Sequence, residues 1–498
     1  MNVLLINPAY PNTFWSFKYA LQFIGKKAAY PPLGLLTVAA MLPRGFRKRL
    51  VDINVTDLTA ADLDWADMVF IGAMAVQRVS ARQVIRRCRA HGVKVVAGGP
   101  LFTAEPEAFA DVDHLVLDEA ELTLAPFLAD LAQGNTRKIY RSSGFCDLGR
   151  TPVPDWGLVS MKRYASMSIQ FSRGCPFNCD FCNVTALFGH RVRMKSPRQV
   201  VAELDSLYRA GWRGNIFFVD DNFIGNRGYL KEKLLPALID WRKGKRGCVF
   251  FTEASINLAD DPVLMEMMVR AGFDSVFIGI ESPDAQSLAE CRKTQNRDRD
   301  LLENVRRIQK AGLQVSGGFI VGFDCDTPSI FQRHIDFIQQ SGIVTAMVGL
   351  LQAPPGTRLF DRLLRENRVT GPISGDNVDG TTNIVPKMGM APLIEGYRSI
   401  MAHIYAPRHY YQRVRTLLKA FGAPRVRTPL DLQRCLAFGR SCLRLGVLGK
   451  ERLHYWYLLL WTLLRKPRQL PLAVTLTIYG HHFRRICEMN ILDAGRRP

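Results

Sequence analysis

The chain has 498 residues, 47% of them apolar, and a net charge of +21. That length exceeds what one hydrophobic core holds, so two or three domains are expected, and the apolar share excludes a disordered chain. Eleven cysteines, an odd number and mostly scattered, exclude a disulfide scaffold and fit a reducing, cytosolic compartment.

The opening "MNVLLINPAYP" lacks the basic start of a leader, and its apolar run has the length of a strand. "PLGLLTVAAML" reads as a helix entered through Pro31-Pro32, and "MVFIGAMA" as a strand ending near Gly72. "SARQVIRRCRAHG" is a helix stopped by Gly92, and "VKVVAGGP" a strand running into Gly98-Gly99-Pro100. "HLVLDEAE" and the helix "ELTLAPFLADLAQG" follow. This alternation predicts a doubly wound, Rossmann-like parallel sheet over residues 1–135. Ligands of such sheets bind beyond the carboxyl ends of the strands, where the winding direction switches. The loops after Asn7, Gly72, Gly98 and Glu119 would line that crevice, against an alternative in which the domain holds no ligand. Residues 136–163, with "RSSGFCDLGRTPVPDWG", read as a linker.

Residues 164–385 carry a longer series. Strand-like runs "MSIQFSR", "NIFFVDDN", "CVFFTEAS", "SVFIGIES", "QVSGGFIVGF" and "VTAMVGLLQA" alternate with five helical runs and no hairpin signal. A spacing of about 30 residues is that of a β/α barrel, here with six strands instead of eight. Barrel chemistry sits at the carboxyl ends of strands. Those ends carry Asp220 and Asp221, Glu253, Glu281, Gly322 with Asp324, and Gln352.

Residues 386–498 read as a mostly helical region. From His403 onward there are 18 Lys/Arg against 4 Asp/Glu. The longest apolar runs, His454–Leu464 and Gln469–Phe483, are split by "RKPR" and fall short of the roughly 20 residues of a spanning helix. The chain is expected in the cytoplasm; Trp456, Tyr457 and Trp461 beside Arg465, Lys466 and Arg468 suit an interfacial segment, which gives peripheral contact with the inner face of an anionic membrane as one reading of the tail. The competing readings are a solvated basic face and a core aromatic stripe. No recognition motif accompanies the charge, so nucleic acid is not favoured.

The densest signal is "FSRGCPFNCDFCNVT", with Cys175, Cys179 and Cys182 on the loop after the first barrel strand. Core cysteines would not cluster beside Gly174, Pro176, Asn178 and Asp180. A zinc site with His190 as fourth ligand remains open, although such sites usually pair their cysteines in two arms. Three thiolates on an iron–sulfur cluster would leave one iron free for a non-protein ligand.

The Cys-x3-Cys-x-aromatic-Cys spacing, with Phe181 as the aromatic residue, resembles the signature of the radical S-adenosylmethionine (SAM) superfamily. The resemblance implies a [4Fe-4S] cluster whose open iron binds SAM, and an external electron donor of flavodoxin or ferredoxin type. It implies that Asp220 or Asp221 meets the SAM ammonium, that Glu281 lies near the ribose, and that Gly322 lets backbone approach the adenine. Where the family often has a glutamate three residues after that glycine, this chain has Cys325. A Rossmann-like domain with "VVAGGP" ahead of such a barrel resembles the cobalamin-binding subclass, and the third region, with "GDNVDGTTN" and "GYRSIMAHIYAPRHYYQRV", resembles the C-terminal part of a subgroup that includes hopanoid C2-methylases. No Asp-x-His-x-x-Gly motif is present, and His91 and His114 lack its flanking pattern. The resemblance therefore implies cobalamin bound without a histidine ligand, near Gly98-Gly99. The expected function is methyl transfer from methylcobalamin to an unactivated carbon of a small-molecule or lipid-like substrate. The alternatives are radical rearrangement, cyclisation or oxidation, and a sensor without turnover.

Overall fold

A computed structural model of the chain describes residues 1–422 and 432–492. Residues 423–431 and 493–498, part of the expected basic C-terminal region, lie outside the described residues. Two parallel six-stranded sheets, a short antiparallel ribbon and a C-terminal set of helices make the mixed α/β fold expected above.

The first sheet contains β1 (Asn2–Asn7), β2 (Arg47–Asp52), β3 (Met68–Gly72), β4 (Lys94–Gly98), β5 (His114–Val116) and β6 (Ile139–Tyr140). Their order is β2-β1-β3-β4-β5-β6 and every pairing is parallel. The central strands are buried on both faces. Leu4, Ile6, Val69 and Ile71 enter one core, and Val3, Leu5 and Phe70 the other. Unbroken apolar runs are what such strands require. Winding reverses between β1 and β3, so the crevice of this sheet opens there. Two edge strands differ from the sequence reading. β2 begins with "RKR" and buries only its last residues. β6 is two residues long and lies inside the segment read as linker, where Tyr140 packs edge-on against Phe127.

The second sheet starts with β7 (Ser166–Ile169). Past the antiparallel pair β8 (Ser172–Arg173) and β9 (Arg193–Met194), it continues with β10 (Asn215–Phe218), β11 (Phe250–Ala254), β12 (Phe273–Glu281), β13 (Gln314–Val321) and β14 (Ala346–Leu350). The order β14-β13-β12-β11-β10-β7, parallel throughout, is the six-stranded part-barrel expected from the repeat. The crossover helices begin where their sequences provide caps. Ser196 and Gln199 form a reciprocal capping box for Pro197–Arg209, and Asp261 caps Pro262–Ala271. Helix Leu301–Ala311 turns Leu301, Val305 and Ile308 inward at i, i+4 and i+7. Each such side chain contributes about 1.5–3 kcal/mol by leaving water.

Six strands leave the barrel open between β7 and β14. Residues 13–30 and the helix Leu470–Cys487 fill that gap. The N–H groups of Ala165 and Ser166 donate to the carbonyls of Ala28 and Ala29 at 3.0 and 2.9 Å, lining the β7 side. Trp15 Nε1 donates to Met347 Sδ on β14 at 3.0 Å. Phe14 stacks on Phe483 with ring centres 4.0 Å apart, and His482 Nε2 meets the Phe14 carbonyl at 2.9 Å. The second apolar tail run is therefore core: Leu476, Ile478 and Phe483 are buried. An open barrel side needs an apolar wedge, and this helix supplies it.

Candidate active site

The cysteine loop is built from the end of β7. Asp220, past the end of β10, holds the turn into β8. Its carboxylate accepts from the Phe171 N–H at 3.1 Å, from the Ser172 N–H, and from the Ser172 hydroxyl at 2.5 Å. It is fully buried, and burial pushes its carboxyl up to about 7 against the pull of those donors. Gly174 follows at φ +92°, where a Cβ would stand 2.7 Å from the Arg191 carbonyl oxygen. Only glycine lets the β8–β9 ribbon close over the loop at that point. Asp220→Ala should strand two buried N–H groups and a hydroxyl. We expect a loss of about 3 kcal/mol, read as a thermal midpoint several degrees lower; an unchanged midpoint would show that the carboxylate does not hold the turn.

Cys175, Cys179 and Cys182 lie on this loop, all partly buried, just before the short helix Val184–Phe188. Burial raises all three thiols, Cys182 to about 12, and Cys179 sits close enough to raise both of its neighbours further. Three adjacent thiolates therefore need a cationic partner, which is how a metal-ligand set differs from three buried thiols. Among the described residues no group of three or more His, Cys, Asp or Glu side chains is spaced to hold a single ion. His190 is exposed.

The segment Lys293–Asn296 packs against the loop, and sequence reasoning missed it. Gln295 Nε2 donates to Cys179 Sγ at 3.7 Å. Lys293 Nζ pairs with Glu281 Oε1 at 2.7 Å, lies 5.9 Å from the centre of the Phe181 ring, and lowers the cysteine thiols through its charge. Asn296 Nδ2 donates to the Gly279 and Ile280 carbonyls at 3.0 and 2.9 Å. Glu281 ends β12 at φ +62°, a left-handed conformation that costs a non-glycine residue about 1–3 kcal/mol. Its buried ion pair holds it there. The only signal in the sequence was a polar run, "KTQN", of which Gln295 and Asn296 turn out to be buried.

Asp221, Glu253, Glu281 and Lys293 share the carboxyl ends of β10, β11 and β12. Burial pushes Asp221 up to about 6, opposed by the Gly174 N–H. Burial, then the charges of Asp221 and Asp220, pushes Glu253 up to about 8. Asp221 thus stands beside the cysteines with its carboxylate less committed than that of Asp220. Gly322, after β13, donates its N–H to Asp326 Oδ2 at 2.8 Å. A Cβ there would lie 3.2 Å from Leu393 Cδ2 of the C-terminal region, and φ is +108°. Cys325 is tied back to Ser287 and Glu290, and Asp324 pairs with Arg362 and Arg368.

Behind this mouth the barrel interior is aromatic. Phe217 on β10 stacks on Phe251 on β11, with centres 4.8 Å apart and planes 6° apart. Tyr30 lies 5.5 Å from Phe217, Trp15 meets Phe277 on β12 edge-on at 5.4 Å, and Phe17 lies 5.1 Å from Tyr479. These rings keep partial exposure, while the outward-facing Ile216, Phe218, Phe250 and Ile278 have none. They therefore line a chamber.

At the crevice of the first sheet, Asn7 is buried. Its Nδ2 donates to Asp52 Oδ1 at 2.9 Å and its Oδ1 accepts from Gln77 at 3.1 Å, so it ties three loops together. Gly72, Gly98 and Gly99 gather at the ends of β3 and β4, and Met74 stands exposed just beyond them. Glu119 does not open onto the crevice. It accepts the Cys146 N–H at 2.6 Å and pairs with Arg173 and Arg193, each at 2.9 Å. Arg173 also pairs with Glu121 at 2.8 Å. This buried network fastens the first sheet to the ribbon that closes the cysteine loop, so crevice and loop stand side by side. His91 pairs with Asp64, and His114 bonds the Arg137 carbonyl from within β5.

Residues 27–128 match the B12 binding domain, residues 169–338 the Radical SAM superfamily, and residues 357–493 a domain of unknown function, DUF4070. The chain is 40% identical to an uncharacterized methyltransferase of Synechocystis sp., over 100% of this chain and 94% of that protein. It is 32% identical to the hopanoid C-2 methylase of Rhodopseudomonas palustris, over 96% and 92% of the two chains. Its fold is similar to that of the cobalamin-dependent SAM radical enzyme OxsB with aqua-cobalamin bound. That likeness has a TM-score of 0.64 and 15% identity, and covers 98% of this chain and 84% of the other.

Proposed function

The chain belongs to the cobalamin-dependent radical SAM C-methyltransferases, and from that premise we propose that it methylates an unactivated carbon of a lipid-like, mostly hydrocarbon substrate. The observation that carries the substrate class is the aromatic chamber behind the cysteine loop. Membership implies a [4Fe-4S] cluster, SAM and cobalamin. When bound, these supply a hydrogen-abstracting radical and a methyl group; the protein supplies binding, orientation and exclusion of side reactions.

In this reading Cys175, Cys179 and Cys182 hold the cluster, and an external flavodoxin- or ferredoxin-type donor reduces it. Lys293 balances the negative charge of the thiolates and of Glu281. Asp221 takes the SAM ammonium, since the donors from Phe171 and Ser172 already occupy Asp220. Glu281 serves the ribose, with Phe181 and Gly322 beside the remainder of SAM. Gly72, Gly98 and Gly99 shape the turns beside which the cobalamin lies, because a Cβ on them would meet Leu35, the Val116 carbonyl oxygen and the Ala73 backbone, while Asn7 and Glu119 support that crevice from behind. Phe217, Phe251, Phe277 and Tyr30 bind a hydrocarbon by taking it out of water. Glu253, with its carboxyl raised to about 8, is mostly protonated at neutral pH and can donate a hydrogen bond to one polar group of the substrate.

The substrate class is tested by offering reconstituted, anaerobic enzyme the apolar and the water-soluble metabolite fractions separately. A methylated product from the apolar fraction is expected. Phe251→Ala should lower kcat/KM for it at least tenfold while leaving substrate-free SAM cleavage intact. Product from the water-soluble fraction alone overturns the substrate class.

A further inference from the structure

We propose that the paired helices Leu432–Ser441 and Arg452–Arg465 form a docking face for an anionic phospholipid bilayer. The helix Arg452–Arg465 is apolar on both sides. Tyr455, Leu458, Leu459 and Thr462 point into the core. On the opposite side Leu453, Tyr457, Leu460 and Leu464 recur at i, i+4, i+7 and i+11, and all are exposed. Leu453 is 79% exposed, Leu464 82%, and Leu448, on the turn between the helices, 72%. A surface helix normally places polar residues on that side. A contiguous apolar surface of this kind marks an interaction site.

Charge decides between occupants. From Leu432 to Leu470 there are eight Lys/Arg and one acidic residue, Glu451. Glu451 is buried and paired with Arg484 at 2.7 Å, so it does not offset the surface charge. Arg444, Lys450, Arg452, Arg465 and Arg468 are exposed around the apolar side chains. Leucines surrounded by guanidinium and ammonium groups, with Trp456 and Tyr457 among them, match the boundary between phosphate headgroups and acyl chains. No described helix is long and apolar enough to cross a membrane, so contact is with one leaflet.

The place of this face in the fold connects it to the chamber. Helix Leu432–Ser441 rests on helix Lys18–Ile24, where Arg440 donates to the Phe23 carbonyl at 2.8 Å. Helix Arg452–Arg465 packs on Leu470–Cys487. Those two inner elements carry Phe17 and Tyr479 into the barrel gap. The face thus backs directly onto the wall of the chamber, so that a substrate dissolved in the bilayer and the site that holds it lie on two sides of one layer of helices. The proposal extends the apolar-substrate reading, but vesicle binding is read without turnover, so the two can fail separately.

The test is co-sedimentation of the full chain with vesicles of phosphatidylglycerol and phosphatidylcholine, or of phosphatidylcholine alone. The full chain should sediment with the anionic vesicles, and added salt should weaken the interaction. Leu453→Glu/Leu460→Glu/Leu464→Glu, three exposed positions whose change leaves the core intact, should bind at least tenfold more weakly. Val263→Glu, at an exposed position on a barrel helix, should bind like the unaltered chain. No binding of the unaltered chain, or equal binding by the triple variant, overturns the proposal. Light scattering that shows a dimer, broken by the triple variant, together with no vesicle binding, would assign the face to a second copy instead.

Discussion

Cys179→Ala is expected to abolish reductive cleavage of SAM, leaving no 5′-deoxyadenosine above the enzyme-free background. The loss should be total because a cluster bound by two thiolates on a loop is lost or misplaced; the thiol of Cys291, close enough to feel the charge of Cys179, is buried and bonds the Leu288 carbonyl at 3.7 Å. Gln295 can donate to a sulfur but cannot ligate iron as a thiolate does, and His190 is exposed. Cys175→Ala and Cys182→Ala should behave alike. Cys325→Ala is the control: its thiol bonds Ser287, away from the three others, and cleavage should persist. Iron content and the absorbance of the reconstituted protein separate cluster loss from failure downstream of it. Retained cleavage in Cys179→Ala would refute the assignment of the loop.

The second large effect falls on stability. Glu119→Ala removes the carboxylate shared by Arg173 and Arg193 and leaves two guanidinium groups partly uncompensated inside the protein. Glu121 retains its own pair with Arg173; burial alone would raise its carboxyl, but the hydrogen bond and charge of Arg173 hold it low. Breaking one partner of a buried pair costs about 3–5 kcal/mol. Because the network joins the first sheet to the ribbon over the cysteine loop, Glu119→Ala should lower the thermal midpoint. It should also speed proteolysis between residues 141 and 165, where the two sheets are connected. An unchanged midpoint would show that the two halves are held together elsewhere.

What could be read from the sequence follows from physical simplicity. Strands of a parallel sheet are buried on both faces, so "NVLLIN", "MVFIG" and "NIFF" stand out as apolar runs, and capped helices between them set the repeat. β2 and β6 were hidden because edge strands need little burial. The cysteine spacing was legible because thiolates on one cluster must be close in the chain. The chamber was not: Phe217, Phe251 and Phe277 sit in strands whose neighbours are core, and only the alternation of inward and outward sides tells a chamber wall from a core residue. Asp220 and Asp221 were indistinguishable for the same reason, although one ties the turn and the other stands at the mouth. Glu119, read as a ligand-lining residue, meets Arg173 and Arg193 across 54 and 74 residues, a separation that no local pattern reveals. In the tail, two similar apolar runs have opposite fates. Leu470–Cys487 closes the barrel, and Arg452–Arg465 turns four of its six leucines outward.

Membership of the family predicts that this chain transfers a methyl group from SAM to carbon. Anaerobic, cobalamin-loaded enzyme should be incubated with SAM labelled as CD3, a reductant and the apolar metabolite fraction. The predicted result is a product three mass units heavier than its unlabelled counterpart, formed together with 5′-deoxyadenosine and S-adenosylhomocysteine. A confirmed product that carries no label, formed while 5′-deoxyadenosine accumulates, would contradict methyl transfer.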